Sequence, residues 1–234
     1  MAPAGSGRAR AQKKAIILCD GMPTVPSKRA LMAFFAKKGY WVFHPRYRGT
    51  WESGGQFLRR SPEKDILDVI GQLPRGFPDV MTRKTYKLKP AQLILLGGSF
   101  GGPAIILASR DPRVTKGIAF CPVVDWKKIT RINTELRNVE EGFGAAYRFS
   151  MKDWNKLTTR GFYNPVDKLN SIAGSKLFII QAKDDESVGW KPVSAFAKNT
   201  GTRIWLMKKG GHLSTSLAMK PQFYKRINKF LKAN

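Results

Sequence analysis

Serine is a weak nucleophile at neutral pH unless a base lies within hydrogen-bond reach and a third group orients that base. This chain carries residues for such a set. Gly97-Gly98-Ser99-Phe100-Gly101-Gly102 follows the apolar run 93–96 and precedes the helix-like Ile105-Ile106-Leu107-Ala108. A strand, a tight glycine turn with a central serine, and a helix together project Oγ above a sheet. The flanking glycines remove the Cβ atoms that would clash with strand and helix. The chain has two histidines. His212 lies on the glycine loop Lys209-Gly210-Gly211-His212-Leu213 behind the last apolar run, and is the expected base. His44 ends an early apolar run and is expected as a packed or rim residue.

For the orienting acid, the run 177–182 leads into Asp184, Asp185 and Glu186. One carboxylate at the strand end suffices to hold the imidazole in the correct tautomer. A tetrahedral intermediate also needs two N–H donors. Phe100, at the start of its helix, supplies one where the helix dipole favours negative charge. The loop Asp20-Gly21-Met22-Pro23 supplies the other, with Met22 as the expected donor. No cofactor or metal is expected, because two distant histidines and two separated thiols do not make a usual zinc site.

These groups need a scaffold. Apolar runs of strand length fall at 15–19, 40–44, 93–96, 117–121, 177–182 and 203–207, with helix-like segments at 27–38, 62–73, 99–110, 193–199 and 222–232. Nearly continuous apolar strands alternating with amphipathic helices predict an α/β fold, a mostly parallel sheet of about six strands with helices on both faces. Ser27 and Ser61 are expected helix caps. Residues 74–90 read as a surface excursion. Residues 125–163 exceed a simple crossover and follow a strand's C-terminal end, where loops line a ligand crevice. They are expected to form a cap or lid, with Trp126, Phe143, Tyr147 and Trp154 contacting substrate; the competing reading is a pair of packing helices. One domain over 15–234 behind a basic leader, 1–14, accounts for the length.

The charge is unusual. Forty-two Lys and Arg face 16 acids, a net +26. Such a field attracts nucleic acid, anionic membranes or acidic substrates. The basic residues are dispersed, however, and no nucleic-acid-binding motif accompanies them, so no specific nucleic-acid partner is expected. Arg46 and Arg48, near the expected pocket rim, point to anionic substrates. There is no long apolar stretch for a membrane span, and the leader lacks the apolar core of a secretion signal. Cys19 and Cys121 each end a predicted strand and are expected as buried free thiols, which fits a cytoplasmic location.

Further details resemble a known superfamily. Ser, then acid, then His is the chain order of the α/β-hydrolases. The segments Phe43-His44-Pro45-Arg46-Tyr47-Arg48-Gly49-Thr50, Cys121-Pro122-Val123-Val124-Asp125-Trp126, Asn164-Pro165-Val166-Asp167 and Asp185-Glu186-Ser187-Val188 are similar to motifs of its prolyl-oligopeptidase-like and dienelactone-hydrolase-like branches. The last register, "D-x-x-V", implies Asp185 as the acid and leaves Asp184 as the alternative. Two features depart from the pattern. Asp20-Gly21 stands where His-Gly is usual, and Cys19-Asp20 where the peptidases supply a tyrosine hydroxyl. The resemblance therefore implies a serine carboxylic-ester hydrolase acting on a small-molecule ester through an acyl-enzyme. An acylaminoacyl- or dipeptidyl-type peptidase, or a non-catalytic basic binding protein on the same scaffold, are the alternatives.

Overall fold

A computed structural model describes residues 14–233. The expected leader lies outside these residues except for Lys14, which opens the first strand. The chain runs β1 (Lys14–Cys19), α1 (Arg29–Lys37), β2 (Tyr40–Phe43), α2 (Glu63–Gln72), β3 (Phe77–Pro78), β4 (Thr85–Tyr86), β5 (Gln92–Gly98), α3 (Gly101–Ala108) and β6 (Lys116–Phe120). It continues through α4 (Ile132–Phe143), α5 (Met151–Trp154), β7 (Leu177–Ala182), α6 (Trp190–Thr200), β8 (Arg203–Met207) and α7 (Pro221–Lys232), with short 3₁₀ turns between them.

Six strands form one parallel sheet in the order β2-β1-β5-β6-β7-β8. Alternate side chains of a strand point to opposite faces, and β1 shows why its run is unbroken. Ala15, Ile17 and Cys19 enter the core beneath α2 and α3, whereas Ile16 and Leu18 pack with α1 and α7. In α7, Phe223, Ile227, Phe230 and Leu231 are buried on one face, leaving its lysines outward. Among the described residues no helix is long and apolar enough to cross a membrane.

Two local expectations change. Ser27 and Ser61 do not cap helices: α1 begins after Lys28 and α2 after Pro62, neither with a side-chain cap. Ser61 Oγ instead donates to Phe162 O at 2.7 Å, tying the start of α2 to the 125–163 segment. Residues 74–90 contain a small antiparallel hairpin, β3 with β4, whose Phe77 packs edge-on against Trp41 and Phe43.

The 125–163 insertion is anchored along the loop after β2. Trp51 N donates to Ala146 O, Phe57 N to Arg148 O and Arg148 N to Gly49 O, each at 2.7 Å. These bonds satisfy backbone groups that would otherwise be stranded between two irregular segments.

Candidate active site

The sharp turn after β5 is held from both sides. Ser99 has φ +53°, a conformation costly for a residue with a Cβ. Its N–H donates to Phe120 O at 3.0 Å, and its carbonyl accepts from Gly102 N at 3.0 Å and Val123 N at 3.2 Å. A Cβ at Gly97 or Gly101 would stand 2.0 or 2.2 Å from Cys19 O, so only glycine lets β1 pass this close to the elbow. A Cβ on Gly21 would come within 3.5 Å of that of Ser99, which puts the loop after β1 directly beside the serine.

His212 reaches the same place from the loop after β8. Its Nδ1 lies 2.9 Å from Asp185 Oδ2 and 3.1 Å from Oδ1. Asp185 Oδ1 also accepts the N–H groups of Ser187 and Val188 at 2.9 and 3.0 Å. Burial pushes the Asp185 carboxyl upward, but the His212 and Val188 hydrogen bonds outweigh it, and the group ends below its ordinary range. An ionised carboxylate therefore faces Nδ1, which sets that nitrogen as the donor and leaves Nε2 free to accept a proton.

Asp184 does different work. It accepts the N–H groups of Gly210 and Gly211 at 3.1 and 2.9 Å, fixing the glycine loop that carries His212. Cys121, with φ +43° at the end of β6, backs the same loop: its Sγ accepts from Leu213 N at 3.3 Å. Cys121, Asp185 and His212 offer three ligand atoms within 4.8 Å of one another, the one such group among the described residues. Burial raises the Cys121 thiol well above its ordinary value, and the other two members are joined directly by the Asp185–His212 hydrogen bond. Cys19 and Cys121 are both free and buried, as expected.

Ser99 and His212 share a cavity of about 340 Å³, lined also by Gly21, Met22, Lys28 and Glu135. Phe100 immediately precedes α3, where the first N–H groups of a helix have no intrahelical partner. The structure thus brings together the serine, the His–Asp pair and both expected donor residues.

The expected substrate contacts lie elsewhere. Trp126, Tyr147 and Trp154 are buried, and neither they nor Phe143 line the cavity. Trp126 stacks on Tyr163 and donates its indole N–H to Tyr163 O at 2.8 Å. Tyr147 OH accepts from Thr24 N at 3.1 Å, and Trp154 packs on Phe149. Tyr147, and Trp126 through its edge contact with Phe100, anchor the insertion to the body of the protein, whereas Trp154 packs within the insertion. Its cavity residue is the polar Glu135 of α4, which no aromatic count could single out. Arg46 and Arg48 are also not cavity residues. Arg48 bonds Asp65 and Asp68 of α2 at 2.8 and 2.7 Å, and Arg46 pairs with Glu52. Lys28, just before α1, is the basic residue that lines the cavity.

A parallel sheet in this order, with a serine at a strained strand-to-helix turn and a late His–Asp pair beside it, defines the class of α/β-hydrolases. Residues 26–234 match the prolyl oligopeptidase family, and the chain belongs to that family of serine hydrolases. No curated protein sequence matches it. Among solved structures, the esterase Pf2001 of Pyrococcus furiosus is similar at 20% identity and TM-score 0.68, over 94% of this chain and 82% of that one. The α/β hydrolase GrgF of Penicillium sp. sh18 is similar at 16% identity and TM-score 0.70, over 98% and 91%. An acylaminoacyl peptidase, solved with a peptidyl chloromethyl ketone, aligns at 19% identity and TM-score 0.64; it covers all of this chain, which corresponds to 38% of the peptidase.

Proposed function

We propose that the chain is a serine carboxylic-ester hydrolase. The observation that carries this reading is the strained Ser99 sharing one cavity with a His212 whose Nδ1 is bonded to Asp185. His212 Nε2 takes the Oγ proton as Ser99 attacks the ester carbonyl, and Asp185 stabilises the imidazolium. The Met22 and Phe100 N–H groups receive the developing oxyanion, each worth about 3 kcal/mol of barrier. The imidazolium then protonates the departing alcohol. Water, deprotonated by His212, resolves the acyl-enzyme and regenerates Ser99.

Ester rather than peptide hydrolysis is favoured by the residues at the oxyanion loop. Cys19 and Asp20 carry no phenol, the Tyr47 and Tyr147 hydroxyls at this loop are engaged with its backbone at Asp20 O and Thr24 N, and the buried Cys19 thiol is held neutral. Family membership and the acylaminoacyl peptidase likeness support the second reading, an acylaminoacyl- or dipeptidyl-type peptidase. The free buried thiols fit a reducing, cytoplasmic location.

The test is labelling with a fluorophosphonate, followed by matched ester and amide substrates. Ser99 is expected to be labelled, Ser99→Ala to lose both labelling and hydrolysis, and the ester to turn over far faster than the amide. Comparable ester and amide rates would select the peptidase. An unlabelled wild-type protein that binds polyanions in a salt-dependent way would select the non-catalytic alternative.

A further inference from the structure

Asp20 directly precedes the Gly21-Met22 loop, and its buried side chain is only 7% exposed. Its Oδ2 lies 2.5 Å from Nε2 of His44, itself 5% exposed. The other imidazole nitrogen, Nδ1, stands 3.0 Å from Arg46 Nη1. A guanidinium only donates, so Nδ1 accepts, and the ring proton sits on Nε2 pointing at Asp20. Arg46 Nη1 also donates to His44 O at 3.1 Å, and its Nε is 3.3 Å from Glu52. The ring is therefore clamped in one orientation and one tautomer.

On its other side, Asp20 Oδ1 has no hydrogen-bond partner among the described residues, and Lys28 Nζ stands 3.7 Å away. Lys28 is held in turn by Thr215 Oγ1 at 3.4 Å. A buried carboxylate short of hydrogen bonds is costly. The His44 contact is thus the direct hydrogen bond that keeps this one in place.

That carboxylate sits at the root of the loop whose Met22 N–H must meet an oxyanion within about 2.7–3.1 Å. A misplacement of about 1 Å at such a position costs on the order of a hundredfold in rate. We infer that His44, acting through Asp20, is a positioning residue for the oxyanion loop, a second His–Asp pair that touches no reacting atom. The inference rests on the reading of the chain as a serine hydrolase. It assigns His44 a role beyond that of a packed residue.

The experiment compares His44→Leu, His44→Gln, Asp20→Asn and the double variant Asp20→Asn/His44→Leu in the full chain. It reads kcat and KM for 4-nitrophenyl acetate, the inhibition constant of a trifluoromethyl ketone that adds to the serine, and the melting temperature. His44→Leu and Asp20→Asn are each expected to lower kcat by about 10–100-fold, in line with partial loss of one oxyanion donor. KM should stay within about twofold, and ketone affinity should fall in proportion to kcat. His44→Gln, which returns an N–H near the Nε2 position, should recover most of the loss. The double variant should be no worse than the poorer single, because both act through one contact.

A folded His44→Leu with unchanged kcat, a His44→Gln no better than His44→Leu, or losses that multiply in the double variant would each overturn the inference. If His44→Leu does not fold, His44→Gln and Asp20→Asn decide alone. Equal kcat losses in those two would also overturn it. A wild-type protein that fluorophosphonate does not label removes the hydrolase reading and this one with it; a labelled, active wild type with unaffected variants removes only this one.

Discussion

Asp184 and Asp185 are consecutive in the chain yet hold the histidine loop at separate points. Asp185 takes the imidazole itself at 2.9 Å, whereas Asp184 takes the backbone N–H groups of Gly210 and Gly211. Successive side chains leaving a strand diverge, so one carboxylate can serve the ring and the next the loop that presents it.

This division predicts unequal losses. Asp185→Asn should lower kcat by about 10⁴, because an amide presents the wrong partner to Nδ1–H. Asp184→Asn keeps an acceptor oxygen for the glycine N–H groups and should cost less than about tenfold. Turnover of an activated acetate ester by the two variants checks the ranking. The reverse order would make Asp184 the orienting acid.

A second expectation concerns acid stability. The folded-state pKa of Asp185 is lowered, because hydrogen bonds from His212 and Val188 outweigh the burial that raises it. A depressed folded pKa adds stability that is complete above the unfolded value, about 3.9 for Asp, and is lost as pH falls through the folded value. The melting-temperature gap between wild type and Asp185→Asn should therefore be steady from about pH 5 to 6 and shrink below about pH 4. A gap that widens toward acid would contradict the lowered pKa. Thermal melts of both proteins at half-unit pH steps measure it.

Sequence periodicity showed the six strands of the sheet because strands buried on both faces must be largely apolar, as β1 is after Lys14 and β7 is but for Gln181. The elbow was legible for a similar reason: Gly97 and Gly101 are imposed by the approach of Cys19 O, and a glycine pair around a serine is visible in the chain. Polar contacts across long separations left no such trace. Asp20 with His44, and Glu135 beside His212, are brought together only by the sheet order and the docking of α4. The aromatics of the insertion were misleading because large rings serve cores and pockets alike. The hairpin β3–β4 was missed because each strand has only two residues, too few to show alternation.

The tryptophans of the insertion should report on stability rather than on selectivity. Trp126 and Trp154 are each 3% exposed and packed on other rings. Truncating such a side chain to alanine costs about 3–5 kcal/mol, which for a chain of this size lowers the melting temperature by roughly 10 °C. Preference across acetate, butyrate and octanoate esters should be unchanged in Trp154→Ala. A shifted chain-length profile with an unchanged melting temperature would return Trp154 to the pocket wall.

Glu135 is where the insertion touches the chemistry. It lines the cavity with Ser99, His212 and Lys28. Burial raises its pKa, and the nearby His212 draws it back only in part. Its carboxyl group and the Lys28 ammonium are the acidic and basic side chains that line the cavity. Two unit charges about 6 Å apart at a protein surface interact by about 2–3 kcal/mol before salt screening, so the wall can discriminate substrates by charge. Glu135→Gln should lower kcat/KM for an ester with a cationic alcohol by about 3–10-fold relative to a neutral ester of the same size, a difference of about 1 kcal/mol. Lys28→Gln should do the same to an anionic ester. Both effects should diminish as ionic strength rises from 0.05 to about 1 M, where the Debye length falls to about 3 Å. A Glu135→Gln variant that loses rate equally on all three esters would mean the carboxylate acts on His212 rather than on substrate charge. The ratio of kcat/KM values across the three esters, taken at two salt concentrations, separates those outcomes.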